Sequence, residues 1–386
     1  MAGLRGIDRR YAAFLGLGAL DAAGYGMIGP IVPQIAEATS AGPAVMGALV
    51  ATFGIGMVIG FYPAALAVRR FGALSVCAAS LGLMILGAVA FVTGESLALF
   101  FCGRFVMGLG SGGLWTAISL GVIERWPGSE YRRLSGLMAV YSVGGIAGPA
   151  IGSIGGIRGP FLVYLGLCAV GVAVLPVIGA PSRHAPAFGS DRAVLRSPAF
   201  AVSAAAMVLI AVTIGTLDGV LPLHFASELG QAGIAALFVG TSLVVALFAV
   251  LGARFPLRPT MVVAVSAIVA GLAIAGAGDD VWIWVVGLAV AGMGFGLGET
   301  SSLGFLLEAT GPSRLLLAMV VWNQVFALGY LIGPSVGGAV AETLGFDAVG
   351  LLPFAIALLV FVTLLRLPRV ARTSVDATPE AHGRPL

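Results

Sequence analysis

Four ionisable side chains, Asp21, Arg104, Asp218 and Glu299, lie inside long apolar runs of this 386-residue chain. A charge in the middle of a lipid bilayer costs about 2.5–3.5 kcal/mol, so four together would cost roughly 10 kcal/mol. Side chains kept at that cost pair with one another, take up protons or face a water-filled cavity. The chemistry they offer is therefore proton binding and the making and breaking of ion pairs. Asp21 falls about ten residues into its run and Arg104 about seven residues into its own from the opposite end, so at 1.5 Å per residue their depths differ by about 5 Å. A long arginine side chain spans that gap. The pair reads either as a cavity couple in which protonation of Asp21 frees Arg104, or as a static structural contact.

The elements that must position these groups are membrane helices. The chain is 59% hydrophobic and 10% charged, with a mean hydropathy of +1.07, far too apolar for a soluble protein of this length. Runs of about 20 residues, enough to cross a bilayer as helix, occupy roughly 11–31, 44–67, 73–93, 97–120, 134–156, 159–180, 199–222, 234–253, 260–278, 281–304, 315–340 and 346–366. The expected fold is all-α, with twelve transmembrane helices in two pseudo-symmetric six-helix bundles.

All 20 basic residues are arginine. Eighteen fall in alternate loops and at the ends: Arg5, Arg9 and Arg10; Arg69 and Arg70; Arg125, Arg132 and Arg133; Arg183, Arg192 and Arg196; Arg254 and Arg258; Arg314; and Arg366, Arg369, Arg372 and Arg384. The opposite loops hold Arg158 with Glu37, Glu95, Glu228, Asp279, Asp280, Glu342 and Asp347. Positive charge marks the cytoplasmic side, so both termini are expected there, in the plasma (inner) membrane. The pI near 9.0 follows from this bias and gives no reason to invoke nucleic acid. No cleavable signal peptide is evident, since the first run is too long and lacks a cleavage site. Cys77, Cys102 and Cys168 stand apart in apolar helices, which fits packing and neither a metal site nor a disulfide framework.

The sequence repeats itself. Gly144-x-x-x-Gly148-Pro149-x-x-Gly152 returns as Gly329-x-x-x-Gly333-Pro334-x-x-Gly337, an offset of 185. Gly108-x-Gly110-x-Gly112 returns as Gly292-x-Gly294-x-Gly296, and Arg70-Phe71 as Arg254-Phe255, both at 184. Glu124 matches Glu308 at the same spacing. Six spans separate each pair, so the two halves share one orientation about an axis normal to the membrane. The domains read as bundles 1–180 and 199–368, a polar Pro- and Arg-containing linker 181–198, and a polar, disordered tail 369–386. Small residues at four-residue spacing let helices approach closely in lipid.

The offset maps Glu299 onto Trp115, which lies eleven residues after Arg104 and about 20° from the same helical face. If Arg104 faces a central cavity, Trp115 does too, and Glu299 looks at it from the other half. A carboxylate there is suited to bind a proton or a cationic substrate. Asp218 matches Gly29 and stands in the outer third of its span, where an interfacial position is the alternative. His224, just past Pro222, reads as interfacial. Asn323, Phe326 and Tyr330 share one helical face, and Tyr25, Trp115, Tyr141 and Trp322 are further aromatic candidates for a flat, lipophilic substrate; packing is the other reading of each.

Arg104-Phe-Val-Met-Gly108-Leu-Gly110-Ser-Gly112-Gly113, the Gly144 to Gly152 run and Leu20-Asp21-Ala-Ala-Gly-Tyr-Gly-Met-Ile-Gly-Pro30 resemble helices 4, 5 and 1 of the major facilitator superfamily, most closely its drug:proton antiporters. The resemblance implies a proton-coupled exporter working by alternating access as a monomer, with a small-molecule substrate and no cofactor, metal or enzymatic activity. The loop after helix 2 departs from the family's pattern: Arg70 and Gly72 match, but Arg69 replaces an acid that helps latch the cytoplasmic gate. Glu124 with Arg70, and Glu308 with Arg254, are the expected substitutes. A facilitator carrying a metabolite, sugar or amino-acid derivative in either direction is the nearest rival. A membrane enzyme would need clustered His, Asp or Ser–base groups at one face, and a transport-inactive sensor would keep the fold alone.

Overall fold

The computed structural model describes residues 8–179, 192–310 and 315–367, in which every regular element is helical. Twelve helices are long and apolar enough to cross a membrane. They are α1 (Arg9–Thr39), α2 (Pro43–Phe71), α3 (Ala73–Thr93), α4 (Leu97–Arg125), α5 (Glu130–Gly152) and α6 (Arg158–Ile178) in the first half. The second half holds α7 (Pro198–Phe225), α8 (Gln231–Gly252), α9 (Leu257–Ala277), α10 (Val281–Ala309), α11 (Leu315–Leu344) and α12 (Phe346–Leu365). Residues 192–196 of the expected linker form a 3₁₀ turn; the rest of that segment before 192, and the expected tail, lie outside the described residues.

Local chemistry sets the boundaries. Ser96, Ser197 and Asp280 cap the first turns of α4, α7 and α10 by accepting from Leu99, Phe200 and Trp282 N–H, which satisfies donors that have no partner inside the helix. Gly72 (φ 83°) and Gly345 (φ 88°) turn the chain between α2 and α3 and between α11 and α12, a conformation side chains resist. Pro30 breaks α1, which runs Arg9–Gly26, tightens to 3₁₀ at Gly29–Ile31 and resumes as Val32–Thr39, because proline offers no N–H to the ladder. The helix α4 is 29 residues long, five more than the apolar window. Hydropathy marks the lipid core, whereas hydrogen bonding continues to the Trp126-Pro127-Gly128 break.

Burial sorts the helices into layers. In α1 and α4, 83% of the most apolar window is buried, and 78% in α7, against 33% in α6 and 28% in α12. The first group forms the centre and the second presents side chains such as Val170, Phe354 and Leu358 outward, as lipid-facing surface does.

The duplicated glycines do the same work twice. A Cβ on Gly148 would meet Ala23 O at 2.8 Å and the Gly26 backbone, and one on Gly333 would collide with Val212 O. Gly26 packs on Pro149, and its counterpart Gly215 on Pro334. Thus α5 is set against α1 and α11 against α7 by equivalent backbone contacts. Between the halves, α2 runs along α11 and α5 along α8, two seams that the repeat exchanges.

Candidate functional site: a cleft between the halves with buried charges at its closed end

At the centre, Arg104 of α4 is fully buried. Its guanidinium carbon sits 4.4 Å from the Phe53 ring centroid, a cation–π contact, and Nε, Nη1 and Nη2 have no hydrogen-bond partner. Around it, Tyr25 packs on Tyr330 at 4.7 Å between centroids, on Phe53 at 6.0 Å and on Phe326 at 6.2 Å. Tyr330 donates to Asp218 Oδ2 at 3.3 Å. The carboxylate that acts electrostatically on Arg104 is Asp218, from the other half.

The expected Asp21–Arg104 pair is therefore not formed. Asp21, 1% exposed, stands beside Ser111 of α4 and acts on Tyr141 and Tyr164. Its Oδ1 and the Ser111 Oγ have no geometric hydrogen-bond partner. Ser111 lies seven residues beyond Arg104, which is about 10 Å along a helix. The depth argument failed because α4 is longer than its apolar window, so its midpoint is Ser111 and Arg104 lies closer to the acidic face.

Glu299 of α10 is partly exposed and makes no hydrogen bond. It acts on Tyr141 of α5, whose ring meets Trp115 edge-on at 5.0 Å. Trp115 and Tyr141 are thus in contact within the first half, while Glu299 belongs to α10 of the second. Trp322 turns away: its indole N–H donates to Ser302 Oγ at 3.1 Å, and Ser302 is bonded to Ser203, which anchors that ring inside the second half.

Asn323 lines a cleft with Phe61, Thr116, Ser119, Leu120, Ile123, Leu134, Met319 and Val320. The cleft is narrow, and it lies between the halves toward the arginine-rich face. Sequence reasoning missed Phe53, Phe61, Ser111, Thr116 and Ser119. The signal for two of them was present: Ser111 and Ser119 flank Trp115 at spacings of four on the α4 face of Arg104, with Ser111 seven residues after Arg104.

On the arginine-rich face one of the two expected gate pairs is not formed. Arg70 lies over the Phe71 ring at 5.3 Å, and among the described residues Arg254 and Glu308 form no ion pair with each other. A latch on this face is expected to be open while the cleft on the same face is open.

Two six-helix halves, each made from the same repeated contacts, with a cleft and buried charges between them, define a membrane transporter of the two-bundle class. The Major Facilitator Superfamily model matches residues 14–232 and 203–385. The chain belongs to that family. No curated protein matches it in sequence. Among solved structures it is similar to the nucleoside transporter NupG (16% identity, TM-score 0.73, 92% of this chain and 99% of that one). It is also similar to a bacterial homolog of the human lysosomal transporter Spinster in an inward-facing, unoccupied conformation (15% identity, TM-score 0.68, 93% and 95%). At these identities the likeness is one of fold.

Proposed function

We propose that the protein exports a flat, lipophilic small molecule in exchange for protons, from an inner membrane in which the arginine-rich face is cytoplasmic. The observation that carries this reading is that Asp21, Asp218 and Glu299 lie within the spans with no ion pair, two of them fully out of water. A carboxylate taken out of water without a counter-ion is neutralised by a proton. The aromatic side chains clustered between the halves, Tyr25 with Phe326 and Tyr330 and Trp115 with Tyr141, would suit a planar, apolar cargo if the site opens onto them. A second reading, a carrier for a hydroxyl-bearing metabolite, draws on Thr116, Ser119 and Asn323 in the cleft wall and on the nucleoside cargo named for the structurally similar NupG.

Inverted membrane vesicles test both. A panel of lipophilic dyes, drugs and nucleosides is added while internal pH is followed, for the wild type and for Asp21→Asn and Glu299→Gln. Proton movement driven by lipophilic compounds and lost in both variants supports the exporter. Movement driven by nucleosides alone favours the second reading, and coupling that survives both substitutions removes the proton-site assignment.

A further inference from the structure

The acidic face is closed by two side chains of the second half, each seated on a helix end of the first. Helix α2 starts without a cap of its own, because Gly42 has no side chain and Pro43 has no N–H. The first available donor, Ala44 N–H, goes instead to Glu342 Oε2 of α11 at 2.9 Å. At the other seam α5 ends at Gly152, and its carbonyl accepts from Gln231 Nε2 of α8 at 2.6 Å. The same amide accepts from Gly156 N–H at 3.0 Å and donates to Gly156 O at 3.2 Å. A carboxylate thus meets the positive end of one helix and an N–H donor meets the negative end of another, the arrangement that helix dipoles favour.

We propose that Glu342 and Gln231 are the two latches that hold this transporter closed on its acidic face, one on each symmetry-exchanged seam. The repeat maps Glu342 onto Ile157 and Gln231 onto Gly47, so each latch exists once, and neither is a leftover of the duplication. Toward the membrane centre the α2–α11 seam continues as bare backbone contact. Gly47 lies against Pro334 O, Gly338 faces Pro43 O, and Gly54 faces Ala327 O and Leu331 N. On the α5–α8 side Ser242 donates to Gly145 O at 3.1 Å deeper in the seam. Backbone contacts that tight leave no adjustable element within the α2–α11 seam, whereas Glu342 and Gln231 at the rim can release and re-form. Opening toward the acidic face must break both, since α2 with α11 and α5 with α8 separate together when one half rocks on the other.

The inference rests on alternating access and is independent of cargo and coupling ion. Its test is a pair of distances in the full-length protein in lipid nanodiscs, with Cys77, Cys102 and Cys168 replaced by alanine. Nitroxide labels at Thr93→Cys and Asp279→Cys report the acidic face, and labels at Ser75→Cys and Ala253→Cys report the arginine-rich face, all at exposed positions away from both latches. Glu342→Ala with Gln231→Ala should raise the ratio of molecules open to closed on the acidic face about tenfold, which is about 1.4 kcal/mol for the lost hydrogen bonds together. The long Thr93–Asp279 component should grow as the Ser75–Ala253 distance shortens. Glu342→Gln, which keeps an acceptor and loses the charge, should fall between. Unchanged distributions in the double variant overturn the proposal. So does lengthening on the acidic face with no shortening opposite, which is local loosening. Loss of proton coupling with intact distance changes would touch the functional reading alone.

Discussion

Tyr330 on α11 donates its hydroxyl hydrogen to Asp218 Oδ2 on α7 at 3.3 Å, and this bond ties two polar groups that the second half brings up to Arg104. It places a carboxylate of one half under the influence of a guanidinium of the other, with Tyr25 and Phe53 packed around them. Removing the hydroxyl with Tyr330→Phe should lower stability by about 1–2 kcal/mol, the cost of an orphaned buried acceptor. Thermal melts in detergent read this as a lowered transition. In an Asp218→Asn background the same substitution should cost much less, because the acceptor's charge is gone.

Arg104 gives a prediction of opposite sign for stability and activity. Its three guanidinium nitrogens have no hydrogen-bond partner, so Arg104→Met replaces an unpaired buried charge by an apolar side chain of similar length. Removing a charge that is buried without hydrogen bonds relieves its desolvation cost. The melting transition should hold or rise while uphill transport is lost. A strongly destabilised Arg104→Met would show that the guanidinium holds the fold together.

The duplicated glycines predict matched effects. Gly148→Leu and Gly333→Leu each drive a side chain into the backbone of the first helix of their half, and each should cost about 3 kcal/mol or more. Expression in folded form and melting temperature should fall alike for the two. Gly82→Leu is the control, since nothing lies within 4 Å of a Cβ there, and it should be silent.

Glu299 stands within α10, partly exposed. Glu299→Gln keeps size and polarity and removes the site for one proton. Fewer protons should move per substrate molecule, read from paired substrate and pH traces in vesicles. An unchanged ratio would place Glu299 outside the coupling path.

Twelve spans and the twofold repeat were legible because lipid demands long apolar helices and because the repeated glycines must meet backbone in both halves. What the sequence hid was azimuth and true helix length. Asp21 and Arg104 look level when α4 is cut at the edge of its apolar window, yet the full 29-residue helix sets Ser111 beside Asp21 and gives Arg104 to the other half. Glu342 and Gln231 were unreadable for a different reason. Each acts on backbone groups of a distant helix end, and backbone groups carry no sequence signal.

The most direct test of the central claim is uphill transport by the triple variant Asp21→Asn, Asp218→Asn, Glu299→Gln in vesicles carrying an imposed proton gradient. Equilibrium exchange of labelled substrate should persist, since the cleft and both seams are intact. Accumulation against a substrate gradient should disappear, because no buried carboxylate remains to carry the proton. Accumulation that continues at the wild-type level would contradict the assignment of these three residues as the proton sites.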